Sequence, residues 1–207
     1  MLAAAAWAFL KLASEMREGE TAPFDSGILS ALRQPGDPHL PIGPRWLTET
    51  MRDITALGGV TVLTLVAIVA VILLLLHAKR REAWTFAGTM IFAQIATEIV
   101  KRIYDRPRPG FAIYDLPVSN SFPSGHTTLS TVTYFLLAAI IARFETAPYT
   151  KRVVFILAAL LTITIGASRV FLGVHWPSDV LAGWALGGGL ALLAHHLLLR
   201  TKIDAKG

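Results

Sequence analysis

Cysteine is absent from this 207-residue chain, which excludes disulfides and thiolate metal sites at once. Charge is scarce as well. Asp, Glu, Lys and Arg together make up 16% of the residues, where a soluble globular domain carries about 25%. With a hydrophobic fraction of 54% and a mean hydropathy of +0.55, that deficit argues against an ordinary soluble fold and for a bilayer protein. No long internal repeat and no nucleic-acid motif is found. The formal net charge of +5 is therefore weighed against a membrane rather than against nucleic acid.

What the chain does have is long uncharged runs. Residues 54–78 hold no Asp, Glu, Lys or Arg, and neither do 83–97, 127–142, 153–168 and 180–199. A helix needs about 20 apolar residues to cross a bilayer, fewer where its ends snorkel. Five transmembrane helices follow. The N-terminal run "MLAAAAWAFLKLASEM" (1–16) is a sixth, shorter candidate; no basic region precedes it, so it reads as a helix and not as a cleaved signal peptide. The predicted fold is all-α, a single polytopic helix-bundle domain over residues 1–207 with about six transmembrane helices.

Basic residues orient the bundle. Lys79, Arg80 and Arg81, then Arg143, Lys151 and Arg152, then Arg200, Lys202 and Lys206 fall on one side if the helices alternate. The positive-inside rule makes that side cytoplasmic, with both termini. Connections 17–53, 104–123 and 169–178 then face outward from a plasma membrane. Within 23–53 the apolar spacing predicts two short amphipathic helices in the outer interface. One has Phe24, Ile28, Leu29 and Leu32 on a face, with Asp25 or Ser26 as its cap. The other aligns Trp46, Leu47, Met51 and Ile54. Between them lies the breaker segment "QPGDPHLPIGP".

The outward ends concentrate chemistry in two segments, 101–126 and 168–179. They carry Lys101, Arg102, Arg106, Arg108, Ser124, His126, Arg169, His175 and Asp179, against the positive-inside trend. Several cations, two histidines and one carboxylate suit a phosphate group. Pro107 and Pro109 end the third helix near Tyr104. Pro123 fits the start of the fourth helix, where Ser124 and Gly125 present backbone N–H groups and the helix dipole favours an anion. Glycine lets that anion approach closely. His126, in the same first turn, can serve as part of the cradle and as a proton source. Pro177 fits the first turn of the last helix, so Asp179 can reach back to His175 and fix its tautomer, leaving the other ring nitrogen as a nucleophile. Arg169 can add a bidentate grip.

These residues carry a resemblance. Lys101 followed after six residues by Arg108-Pro109, then Pro123-Ser124-Gly125-His126, then Ser168-Arg169 followed after five residues by His175 and after three more by Asp179, resemble the three-part signature of the type-2 phosphatidic acid phosphatase superfamily. That family also contains undecaprenyl-diphosphate phosphatases, glucose-6-phosphatase and vanadium haloperoxidases. The resemblance implies a membrane phosphatase acting on the phosphate or diphosphate headgroup of a lipid. It implies that His175 attacks phosphorus to give a phosphohistidine and that Asp179 orients it. His126 protonates the leaving oxygen and later activates water, while Lys101, Arg108, Ser124, Gly125 and Arg169 hold the phosphoryl oxygens. Neither metal nor cofactor is expected. A lipid phosphotransferase with the same intermediate and a non-enzymatic transporter are the competing classes. Undecaprenyl diphosphate, phosphatidylglycerol phosphate, phosphatidic acid and lipid A phosphate all remain as substrates.

Several residues read as structural. Glu98 is expected to pair with Lys101 or Arg102. Gly183 and Gly187 are expected to pack helices closely, and Trp176 to anchor in the interface. His77, His195 and His196 read as solvated interface residues and His39 as a loop residue. Arg102 and Arg106 divide evenly between drawing in substrate and touching headgroups.

Overall fold

The computed structural model describes residues 1–112 and 119–200; Lys202 and Lys206 of the expected basic tail lie outside them. Eight helices and one small hairpin follow in order: α1 (Leu2–Glu18), α2 (Ala22–Ala31), β1 (Arg33–Gln34), β2 (Asp37–Pro41), α3 (Arg45–Ala56), α4 (Val60–Leu76), α5 (Arg80–Tyr104), α6 (Gly125–Phe144), α7 (Pro148–Phe171) and α8 (Pro177–Arg200). The antiparallel hairpin β1–β2 lies where only a breaker segment was expected, so the fold is helical but not purely so. Gly36 makes the turn at φ +92°, a conformation that costs glycine little.

Helices α5, α6, α7 and α8 are each long and apolar enough to cross a membrane. A fifth span results if α3 and α4, bent by 43° at a short break, are counted together. The N-terminal run expected as a sixth span forms a helix, α1, 17 residues long, which packs along α8 but is not among these spans, so the described residues show four or five spans and not six.

Local sequence explains the boundaries. Helix α5 stops at Tyr104 because Asp105 turns left-handed at φ 44° and Pro107 disfavours helix for Arg106. Helix α6 is capped by Ser124, whose Oγ accepts the Thr127 N–H at 3.4 Å. Pro123 therefore precedes the cap and does not open the helix. Pro148 begins α7 and Pro177 begins α8, where a missing N–H removes nothing.

Helix α6 is the centre of the bundle. In its most apolar 18-residue stretch 61% is buried, against 22% for α5 and 39% for α7. It crosses α8 where α8 is stripped of side chains. A Cβ on Gly187 would fall 2.6 Å from the Thr128 carbonyl oxygen, and one on Gly183 would fall 2.9 Å from Thr127 Cβ. The two glycines serve packing within the chain.

The basic residues gather at one end. Arg143 pairs with Glu82 at 3.1 Å, Lys79 lies 4.3 Å from the centroid of the Phe144 ring, and Arg81 donates to the Leu197 carbonyl. The signature residues stand at the opposite end.

Candidate active site

His175 sits in the turn between α7 and α8. Gly173 reverses the chain at φ +71°, and a Cβ there would lie 2.4 Å from the Phe111 carbonyl oxygen, so both conformation and space call for glycine. Asp179, two residues into α8 from Pro177, reaches back over the helix start. Its Oδ2 accepts the Trp176 N–H at 2.9 Å and lies 3.3 Å from His175 Nδ1. The other ring nitrogen, Nε2, is 3.2 Å from Arg108 Nη1. A carboxylate facing Nδ1 and an obligate donor facing Nε2 both select the Nδ1–H tautomer. The Nε2 lone pair then points towards the cations. Burial holds the His175 imidazolium well below its ordinary range, and Arg169, Arg108 and Lys101 add to that effect. The ring is neutral at physiological pH and available as a base or nucleophile.

The cations are held by backbone and loop. Lys101 Nζ donates to the Asn120 carbonyl at 3.0 Å and Asn120 Nδ2 returns a bond to the Lys101 carbonyl at 3.0 Å, pinning the chain before α6 to the end of α5. Arg108 donates through Nε to the Ser119 carbonyl (2.8 Å), through Nη2 to Ser119 Oγ (2.8 Å) and through Nη1 to the Val174 carbonyl (2.9 Å). Arg169 Nη1 donates to Thr55 Oγ1 on α3 at 2.9 Å. Glu98 accepts from Gln94 at 3.4 Å, and it forms no ion pair among the described residues, against expectation.

The start of α6 differs from the sequence expectation in one respect. The Ser124 N–H donates to the Asp179 carbonyl at 3.0 Å, so it ties α6 to α8 and does not face an anion. The Gly125 N–H, the first of the helix, has no intrahelical partner by its position. A Cβ on Gly125 would meet Thr97 Cγ2 at 3.8 Å and Lys101 Cε at 3.9 Å. These are ordinary contacts, so the protein itself does not demand glycine here. The glycine leaves open the space beside Lys101. His126 follows, half-buried, with its Nε2 3.8 Å from where a Gly59 Cβ would stand. The groups acting on it electrostatically are Arg169, His175, Lys101 and Arg108. The eight residues to which the resemblance gives roles therefore meet at one end of the bundle.

The sequence model of the PAP2 superfamily matches residues 82–202, more than half of the chain. This protein belongs to the PAP2 superfamily. It is 29% identical over 185 residues to phosphatidylglycerophosphatase B of Bacillus subtilis, covering 86% of this chain and 85% of that one. It is 30% identical over 132 residues to an undecaprenyl-diphosphatase of Sulfolobus acidocaldarius, covering 61% and 60%. Among solved structures, the transmembrane PAP2-type phosphatidylglycerolphosphate phosphatase of B. subtilis superposes with a TM-score of 0.84 at 28% identity, over 95% of this chain and 94% of that one.

This PAP2 protein surrounds its signature residues with others that sequence reasoning missed. Asp25 does not cap α2: it lies within the helix, fully buried, and accepts from Ser178 N at 2.8 Å, Ser178 Oγ at 2.6 Å and Arg106 Nη2 at 2.7 Å. Phe24 and Ile28 of the same helix are exposed, while Leu29 is buried. Arg106 and Arg102 are not equivalent. Arg102 is exposed, whereas Arg106 Nη1 bonds Asp179 Oδ1 at 2.6 Å and Ser178 Oγ at 2.8 Å. Trp176 donates its indole N–H to the Pro107 carbonyl at 3.0 Å and lies under the Arg106 guanidinium. It fastens the segment after α5 to the turn before α8. The only available signal was the density of charge in "YDRPRP", which does not say which arginine turns inward.

Proposed function

We propose that this protein, a phosphatase by family, removes the terminal phosphate of a membrane lipid at the outer face of the plasma membrane, without a metal, through a phosphohistidine. The observation that carries the reading is the setting of one ring: His175 Nδ1 on Asp179 and Nε2 facing Arg108. The Nε2 lone pair attacks phosphorus as the bond to the lipid oxygen breaks. The Nδ1 proton stays hydrogen-bonded to Asp179, which stabilises the ring as it gains positive character. Lys101, Arg108, Arg169, Ser124 Oγ and the Gly125 N–H hold the equatorial oxygens, a role that magnesium plays in kinases. His126 gives its proton to the leaving oxygen. It then takes one from water, which attacks phosphorus and frees His175.

The cations around His175 supply the charge that a metal would otherwise bring. Among the described residues, no three His, Asp or Glu side chains gather as a metal site. For the substrate, the relative matching most of both chains is named for phosphatidylglycerophosphate, and we place that phosphomonoester first and undecaprenyl diphosphate second. The basic residues at the other end of the bundle support an outward site.

The test is phosphate release from purified protein in mixed micelles, across a panel of these lipids, with excess EDTA. Release should persist, and quenching in alkali during turnover should trap phosphate on the wild type but none on His175→Ala. Full loss with EDTA that magnesium restores, or no phosphoenzyme in any quench, would sink the reading. Transfer to an acceptor without free phosphate would identify a phosphotransferase instead.

A further inference from the structure

We infer that Arg106 and Asp25 are positioning residues of the site, a buried pair that holds Asp179 ionised and aimed at His175. The inference rests on the proposed role of His175. Asp179 and Asp25 are both fully buried, and a single guanidinium lies between them. Arg106 Nη1 holds Asp179 Oδ1 at 2.6 Å and Nη2 holds Asp25 Oδ2 at 2.7 Å, with the arginine side chain only 12% exposed. Ser178 closes the ring, accepting from Arg106 and donating twice to Asp25. The line Asp25–Arg106–Asp179–His175 thus runs from the interfacial helix α2 to the reacting nitrogen.

Its chemistry follows from the tautomer. An ionised Asp179 can only accept, so it demands Nδ1–H and leaves Nε2 with its lone pair. A protonated Asp179 can donate to Nδ1, which moves the ring proton to Nε2 and removes the nucleophile. Without Arg106, two buried carboxylates would face each other, and like charges so placed hold a proton between them. The guanidinium prevents that. Asp25 keeps it from rotating away and gives its second edge a partner. Lys101 from α5 also acts on Asp179; Arg169, Arg108 and Lys101 act on His175 beside it, and the same three cations act on His126 at the start of α6. Asp179 Oδ1 accepts from Arg106 Nη1.

Arg106→Gln, Arg106→Lys, Asp25→Asn and His175→Ala are compared with the wild type for kcat, KM, inhibition by inorganic phosphate and the pH profile of kcat/KM. Arg106→Gln should lower kcat about 10- to 100-fold, the size of effect that loss of an outer partner has on a metal-bound histidine. KM and phosphate inhibition should be nearly unchanged, and the acid limb should move to higher pH. Arg106→Lys should recover part of the rate. Asp25→Asn removes a repelling charge instead of an attracting one, so it should lower kcat without raising the acid limb. A wild-type rate and profile in Arg106→Gln would overturn the inference. So would a loss expressed in KM and phosphate inhibition, since Arg106 would then bind substrate. If Arg106→Gln does not fold, wild-type behaviour in both Arg106→Lys and Asp25→Asn overturns it equally. Undiminished turnover by His175→Ala would instead remove the nucleophile reading, a failure distinct from all of these.

Discussion

Gly183 stands one turn beyond Asp179 on α8, against the first turn of α6, and its replacement by alanine tests how the bundle holds the site. An added Cβ would lie 2.9 Å from Thr127 Cβ and 3.0 Å from the Ser124 carbonyl oxygen. Neither neighbour is the free end of a flexible side chain, so neither can rotate away. Reaching ordinary contact at 3.4 Å needs about 0.5 Å of separation between the helices. The hydrogen bond from Ser124 N–H to the Asp179 carbonyl crosses the same gap at 3.0 Å, and that added distance would bring it to the edge of hydrogen bonding. Overpacking costs about 1–3 kcal/mol, offset by a helix-propensity gain of at most about 1 kcal/mol, so the net loss is on the order of 1–2 kcal/mol. The catalytic cost is separate. Helix α6 carries Ser124, Gly125 and His126, and the start of α8 carries Asp179. A 1 Å misplacement costs about 100-fold, so half of that should cost roughly tenfold in kcat.

Gly188→Ala is the control on the same helix. Nothing lies within 4 Å of a Cβ there, so it should gain up to about 1 kcal/mol from helix propensity alone and keep full activity. Thermal unfolding in detergent, followed by tryptophan fluorescence, and phosphate release would be measured on both variants. If Gly183→Ala is as stable and as active as Gly188→Ala, the close α6–α8 crossing does not set the site's geometry and the reasoning fails.

The two histidines should separate by leaving group. General acid help is worth roughly 100- to 10,000-fold when the leaving oxygen needs a proton. His126→Ala should therefore be severely impaired on a lipid monoester but release a burst of nitrophenol from p-nitrophenyl phosphate and stall as phosphoenzyme; equal impairment on both, with no burst, would place the proton elsewhere. Orientation can be read with single cysteines, because the chain has none of its own. A cysteine replacing exposed His39 in the β1–β2 hairpin should react with an impermeant maleimide in intact cells, and one replacing exposed Thr146 at the basic end should not. The reverse pattern would overturn the outward site.

The spans were legible because each is written in one continuous window. Uncharged runs such as 83–97, 127–142, 153–168 and 180–199 each fall within one helix whatever it packs against, whereas 54–78 is broken between α3 and α4; the prolines at 107 and 177 mark boundaries through local sterics. The histidine–carboxylate contact was legible for the same reason: His175 and Asp179 are four residues apart across a helix start. Ser124 shows the limit. Its role as cap follows from its neighbours, but its N–H is taken by an Asp179 carbonyl 55 positions away, and no window contains both. The hairpin was missed because its strands are too short to show alternation, with prolines at 35, 38 and 41.

Asp25 is the sharpest case. By sequence it is a polar residue at the head of a short amphipathic helix, where an acid is a common cap. Its burial comes only from the docking of α2 on the start of α8, beside an arginine carried there by the left-handed turn at Asp105. That turn separates two arginines four residues apart. Arg102 is still on α5 and remains exposed, while Arg106 comes after the helix has ended. A buried carboxylate is costly unless it is paired, so Asp25 and Arg106 are each tolerable only with the other in place. Asp179 has the same need and shares the same guanidinium. The charge inside this end of the bundle is therefore one assembly drawn from α2, the segment after α5, the turn after α7 and α8. The half that carries the three-part signature bears a local sequence pattern, and the half contributed by Asp25 and Arg106 becomes visible only once the helices are docked.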